Sequence, residues 1–208
     1  MTRTGGEARK RRLLDEAIRQ FGKKGYEGTS LDAVAGAAGV RKQTLLYYFP
    51  TKEALLEACV HEVSARVAER LNTALAQTRS NKAVAVIRAV FRLAEEWPEF
   101  PQFIRESGRL GPEVVEGFLA TMEPLRLRAI SYLEESMDAG EIRRQDPALL
   151  LFTLYTAVVG SITEAGVLRA VVGEDKGRTA LKRREREVIS FVRNALAPPE
   201  AESRKRRA

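Results

Sequence analysis

The sequence predicts an all-α fold of about nine helices, in which a small three-helix N-terminal unit precedes a longer helical body. Three observations lead there. Apolar residues recur at three- and four-residue spacing along nearly the whole chain, the signature of one buried helix face. No stretch sustains the every-second-residue alternation of a strand. Between the apolar stripes, Gly, Pro, Ser, Thr and Asp fall where helices start and stop. No internal repeat is evident.

The first helix fits residues 8–23, with Leu14, Ala17, Ile18 and Phe21 on its inward stripe and Gly22 and Gly25 marking its end. Tyr26-Glu27-Gly28 reads as a turn. A short second helix opens at Thr29 or Ser30, whose hydroxyls can each accept a first-turn N–H; Thr29 with Asp32 fits a capping box. That helix carries Leu31, Val34, Ala35 and Ala38 and stops at Gly39. A third occupies 42–49 and ends at Pro50, which has no N–H with which to continue it.

Thr51 is placed to cap a long fourth helix over 51–79, roughly 40 Å at 1.5 Å per residue. Further helices fit 82–97, 100–109, 112–139, 147–172 and 178–197, with a break at Trp97-Pro98-Glu99-Phe100-Pro101. Pro112 and Pro147 stand in first turns, where the missing N–H leaves no bond unmade, and Asp146 precedes the latter as a capping residue. Pro198-Pro199 leads into a basic tail expected to be disordered. The expected domains are therefore 1–50, 51–198 and a tail at 199–208.

Charge is distributed unevenly. The chain carries a net +7. Residues 1–52 hold eleven Lys and Arg against five Asp and Glu, and residues 200–208 hold four against two, so the long middle is nearly neutral. A basic segment on a neutral body is the footprint of a phosphate-binding module, although basic termini also serve solubility alone.

The segment from Ser30 to Phe49 gives that charge a geometry. Two short helices meet at Gly39, where positive φ permits a tight turn. Ala35 and Ala38 are small where the helices must cross, and Val34, Val40, Leu45 and Phe49 supply a miniature core backed by the first helix. This is a helix-turn-helix arrangement, which presents the start of its second helix to the major groove of DNA. Here that start is Arg41-Lys42-Gln43-Thr44. Two cations at a helix N-terminus oppose the helix dipole at about 0.3–1 kcal/mol each, a penalty that a nearby polyanion reverses; the alternative is a merely solvated basic turn.

Arg41 and Lys42 suit guanine or phosphate, Gln43 suits adenine, and Leu46 suits a thymine methyl. Thr44, Tyr47 and Lys52 suit phosphates that set register without reading sequence. Tyr48 is divided between core and surface. With Thr29 and Ser30 at the start of the second helix, the candidate DNA-binding set is Thr29, Ser30, Arg41, Lys42, Gln43, Thr44, Leu46, Tyr47, Tyr48 and Lys52.

The stretch from about Arg11 to Leu56 resembles the DNA-binding domain of the TetR (tetracycline-repressor) family. The resemblance rests on Ala17 through Phe21, Gly25-Tyr26, Gly28-Thr29-Ser30, the run from Ala38-Gly39-Val40 through Thr44-Leu45 to Tyr47-Tyr48-Phe49, and Lys52-Glu53-Ala54-Leu55. Three positions depart from the family's commonest pattern: Arg41 replaces a capping Ser, Leu46 a Tyr, and Ala33 an acidic residue. The resemblance implies a C-terminal helical body for ligand binding and dimerisation, with the last two long helices forming a four-helix interface. It also implies repression from a palindromic operator, relieved by a small-molecule inducer.

The body's own residues accommodate this. Leu150, Leu151, Leu154, Val158, Ile162 and Val167 make a wide apolar surface, Gly160 and Ser161 would allow close helix approach, and Leu181, Val188, Val192 and Leu196 recur at near-heptad spacing. The candidate dimer interface is Leu151, Leu154, Val158, Ile162, Leu181, Val188 and Val192; the alternative is that both faces pack inside one subunit. Phe91, Trp97, Phe100, Phe103, Phe118, Met122, Phe152 and Tyr155 are the candidate lining of a pocket for an apolar or amphipathic ligand of unknown identity, with ordinary core packing as the alternative for each. Gln102, Arg105 and Glu106 are polar residues able to orient such a ligand, with plain solvation as the equal alternative.

Other function classes receive little. Cys59 and His61 are the only Cys and His; two apart on a helix, they point in different directions and form neither a nucleophilic pair nor a metal site. No phosphate-cradling Gly motif appears, and no cofactor or metal is expected. The adjacent pairs Glu95-Glu96 and Glu134-Glu135 diverge on a helix. The apolar run at 148–163 is short for a membrane span, and the N-terminus lacks the apolar core of a signal peptide. The expectation is a cytoplasmic, non-enzymatic regulator that binds double-stranded DNA as a homodimer. An architectural DNA-binding protein is the alternative, and a small helical enzyme the more remote one.

Overall fold

The computed structural model of the chain describes residues 3–78, 81–173 and 177–198. The tail expected at 199–208 lies outside the described residues. Those described form ten α-helices and no strand: α1 (Arg3–Lys24), α2 (Leu31–Ala37), α3 (Lys42–Tyr48), α4 (Lys52–Ala76), α5 (Lys82–Glu96), α6 (Phe100–Ser107), α7 (Pro112–Asp138), α8 (Pro147–Thr163), α9 (Ala165–Val172) and α10 (Gly177–Leu196).

Several ends follow local chemistry. Ser30 caps α2 by accepting the Ala33 N–H at 3.2 Å, and Asp146 caps α8 through Leu149 N–H at 2.8 Å. Thr51 Oγ1 accepts the Ala54 N–H at 3.1 Å at the start of α4. Gly39 takes φ +69°, as the turn before α3 requires. The helix expected over 147–172 is instead two, because the backbone breaks at Glu164 (φ −89°, ψ 50°). α7 continues through Pro124, giving up the bond that its missing N–H would make.

By packing, the chain divides into two compact units. The first comprises residues up to Glu69 together with Glu96–Met122; the second comprises Arg70–Glu95 and the residues from Glu123 onward. In the first unit, Leu13, Ala17, Ile18 and Phe21 of α1 are fully buried, with Val34, Leu45, Leu55 and Val63. Each of the larger of these, Leu, Ile, Val or Phe, contributes about 1.5–3 kcal/mol by leaving water. α1 also crosses α6 closely: a Cβ at Gly22 would stand 3.2 Å from Phe103 N and 3.3 Å from Glu99 O.

In the second unit, Leu133, Met137 and Leu150 form a buried cluster, against which Ile142, Leu151, Leu154 and Leu196 pack. The Arg143 N–H donates to Leu196 O at 3.2 Å, and Arg184 Nη1 donates to Ser161 O at 2.7 Å, joining α10 to α8.

Candidate nucleic-acid interface

α2 and α3 are too short to hold themselves, and their positions come from partners in the first unit. Gln20 of α1, 4 % exposed, donates from Nε2 to Ala33 O of α2 at 3.1 Å. Val34 and Leu45 are buried between the helices, and Val40 N–H closes the turn by donating to Ala35 O at 2.9 Å. What this leaves outward is the start of α3. Arg41, Lys42 and Gln43 are exposed, and Arg41 is the N-cap without making any side-chain cap bond.

Tyr47 is 82 % exposed and meets the half-buried Tyr48 edge-on, ring centroids 5.2 Å apart. An aromatic so exposed on a folded helix is an informative exception, because burial is what its surface favours. Thr44 and Leu46 are half-buried beside it. Lys42 Nζ lies 2.6 Å from Asp32 Oδ2. Both groups are exposed, so the pair is worth about 0–1 kcal/mol and exchanges readily for a phosphate.

Lys52 opens α4 with its ammonium 4.2 Å from the centroid of the Tyr26 ring. Tyr26 in turn donates from its hydroxyl to Glu53 Oε1 at 2.7 Å. Its burial, reinforced by that carboxylate, pushes the phenol up to about 12. Its backbone N–H donates to Glu106 Oε1 of α6 at 2.8 Å.

Three expectations require correction here. Thr29 is 3 % exposed and its hydroxyl donates to Gly25 O at 2.8 Å, so the side chain holds the turn and faces no groove. The capping box does not form, because Ser30 takes the cap and Asp32 pairs with Lys42. Glu106, expected either to orient a ligand or to be solvated, instead accepts the Tyr26 N–H through its carboxylate.

The family profile described as "Bacterial regulatory proteins, tetR family" matches residues 13–59, the segment that folds into the helix-turn-helix and the start of α4. That segment, rather than the whole chain, carries the tetR-family match. It is similar to the HTH-type transcriptional regulator RutR of Escherichia coli K12, 27% identical over 80% of this chain and 79% of that protein. Its fold is similar to that of the Bacillus subtilis regulator FadR, solved in complex with stearoyl-CoA (TM-score 0.74, 18% identity, 89% of this chain and 98% of that one). It is also similar to AibR in complex with isovaleryl coenzyme A and operator DNA (TM-score 0.72, 21% identity, 92% of this chain and 100% of that one). The chain is thus a transcriptional regulator with a tetR-family DNA-binding segment.

The regulator's other expected sites are placed less uniformly. Of the pocket candidates, Phe100 and Phe103 are buried in the first unit, where Trp97 stacks on Phe100 at 6.0 Å and carries the Arg66 guanidinium 4.7 Å from its ring centroid. Phe118 and Met122 are half-buried in that unit. Phe91 is a core residue of the second unit. Phe152 and Tyr155 line no interior there; they are 62 % and 48 % exposed.

The dimer candidates show the reverse. Val158, Ile162 and Val192 are buried within the second unit, and Leu151, Leu154, Leu181 and Val188 are half-buried. The stripe named for a partner is therefore largely packed within the subunit. In this unit the large apolar side chains facing solvent are Leu127 on α7, Leu149, Phe152 and Tyr155 on α8, Val167, Val171 and Val172 on α9, and Phe191 on α10. α8 is apolar nearly all round, so periodicity alone does not say which stripe turns inward.

Cys59 is buried against Leu14 O, and burial pushes its thiol up, which keeps it protonated and inert. His61 is exposed on the other side of α4. No single helix among the described residues is long and apolar enough to cross a membrane.

Proposed function

We propose that the regulator is a cytoplasmic homodimer and a repressor. In this reading it binds a palindromic operator through Arg41, Lys42, Gln43 and Leu46 as base readers, with Ser30, Thr44, Tyr47, Tyr48 and Lys52 on phosphates. A small apolar or amphipathic ligand releases it.

The observation that carries the reading is the start of α3: two exposed cations and a glutamine on an uncapped helix end, with Tyr47 82 % exposed beside them. A sequence selected only for stability would place a capping Ser or Asp at position 41 and bury or delete the tyrosine. Arg41 gains a charged partner only in the groove, and Lys42 exchanges its exposed pair with Asp32 for one there.

For the dimer, the support is the exposed apolar set on α8, α9 and α10, above all Leu149, Phe152, Tyr155 and Phe191. Apolar side chains gathered on consecutive elements mark a surface that a partner covers. A second copy of the chain meets the symmetry of a palindromic site. The proposed domain boundary falls near residue 50, with α4 to α10 forming the ligand-binding and dimerisation body.

Release by ligand is supported by the folds of the two coenzyme-A-bound regulators and by the bond joining Glu106 of α6 to the turn before α2. A ligand that favours one setting of α6 gains a route to α3's support.

The test is selection of bound fragments from genomic DNA, followed by salt titration on the selected palindrome and on random duplex. A preference of roughly 10³ or more that survives physiological salt is expected. Near-equal affinities would assign the chain to architectural DNA binding instead.

A further inference from the structure

The inward stripe of α1 runs from Phe21 back through Ile18, Ala17 and Leu14 to Leu13, all buried. Counted back by helical spacing from Leu13 and Leu14, the next residues on that face are Lys10 and then Gly6. Lys10 is exposed. The helix therefore continues past the edge of its own core, from Leu13 to its first residue Arg3, about 15 Å further at 1.5 Å per residue.

This overhang lies alongside α3. A Cβ at Gly6 would stand 3.5 Å from Tyr48 Oη. Tyr48 touches the exposed Tyr47, so the surface runs without a gap from Tyr47 through Tyr48 to the α1 overhang.

Arg9, Lys10, Arg11 and Arg12 follow one another on the overhang. At about 100° per residue they ring the helix, and none has a carboxylate partner among the described residues; the first ion pairs on α1 are those of Asp15 and Glu16. Arg9 and Lys10 flank the line of Gly6, on the side of Tyr48. Arg11 and Arg12 lie further round. Four unpaired cations in one girdle repel one another, which an adjacent polyanion offsets.

We propose that the overhang of α1 is a second DNA-binding element, in which Arg9 and Lys10 grip sugar-phosphate backbone flanking the bases read by α3. The inference rests on the DNA-binding reading above and extends the contact surface beyond the helix-turn-helix. These contacts supply affinity and hold register while reading no bases. Each phosphate neutralised adds about 0.9 to the slope of log K against log salt.

The test uses the full-length protein with the selected operator and a random duplex of equal length. Arg9→Gln with Lys10→Gln is expected to lower the slope by about 1.8 per subunit bound. On that slope, its loss of affinity relative to the parent is about sevenfold greater at 50 mM than at 150 mM salt. The loss is expected to be equal on both duplexes, with hydroxyl-radical protection disappearing only at the outer edges of the site.

Arg11→Gln with Arg12→Gln removes the same charge from the far side of the same helix and serves as the control. Equal slope losses in the two pairs would show a diffuse field and overturn the proposal. So would an unchanged slope and footprint in the Arg9, Lys10 variant when the parent discriminates the operator. A parent that shows no preference for the operator would instead overturn the regulator reading on which this rests.

Discussion

Glu106 and Tyr26 are 80 residues apart in sequence, yet Glu106 Oε1 accepts the Tyr26 backbone N–H at 2.8 Å. This bond places α6 directly against the turn that leads into the helix-turn-helix. Tyr26 passes the connection onward, through its hydroxyl to Glu53 and through its ring to the Lys52 ammonium. One residue thus touches α6 by its backbone and the start of α4 by its side chain.

Glu106→Ala is expected to destabilise the first unit by about 1–3 kcal/mol, because it leaves a partly buried backbone N–H without its acceptor. Glu106→Gln retains a carbonyl oxygen at that place and should recover most of the loss. Urea unfolding midpoints decide it. Equal midpoints in parent and alanine variant would remove the bond from the account.

Gly25→Ala tests the same junction from the other side. Gly25 has φ +76°, and a Cβ there would lie 2.8 Å from Glu106 Oε1. The left-handed backbone alone costs about 1–2 kcal/mol for an L side chain, and the crowding adds to it. A drop in melting temperature is expected, smaller in a Glu106→Ala background where the carboxylate is gone.

Arg41→Ser should separate stability from function. Serine at the N-cap of α3 accepts an N–H that Arg41 leaves to solvent, a gain of about 0.5–2 kcal/mol. Operator preference is expected to fall at the same time. A variant that became more stable while reading its operator as before would show that Arg41 is no base reader.

Alkaline titration bears on Tyr26. The phenol, pushed up to about 12 by burial and by Glu53, has a folded pKa above the unfolded value near 10. Its protonated form therefore stabilises the fold fully below about pH 10, and that contribution is lost as pH rises toward 12. The stability gap between parent and Tyr26→Phe should narrow across this window. A gap constant with pH would show that the hydroxyl makes no such contribution.

Phe152→Glu probes the exposed apolar face. At 62 % exposure the substitution leaves helix content intact, and sedimentation is expected to show a monomer with weakened operator binding. Val192→Glu, at a position 1 % exposed, should instead unfold the second unit by burying an unpaired charge. A dimer that tolerates Phe152→Glu would move the partner surface elsewhere.

The sequence by itself determined what depends on near neighbours in the chain. Ser30, Thr51 and Asp146 cap helices because a side-chain oxygen reaches an N–H three residues on. Gly39 turns because it lacks a Cβ, and the stripe from Leu14 to Phe21 is buried because its spacing admits one face only. The cationic start of α3 was legible for the same reason.

Tertiary structure decided the rest, where the partner is distant or the pattern is degenerate. α8 is apolar nearly all round, so only packing against Leu133 and Met137 turned Leu150 inward and left Phe152 outside. Thr29 and Ser30 are chemically alike as caps, and the Gly25 carbonyl drew Thr29 into the turn. Glu106 reads as one more surface carboxylate until α6 meets the backbone of Tyr26, a contact no helical period encodes.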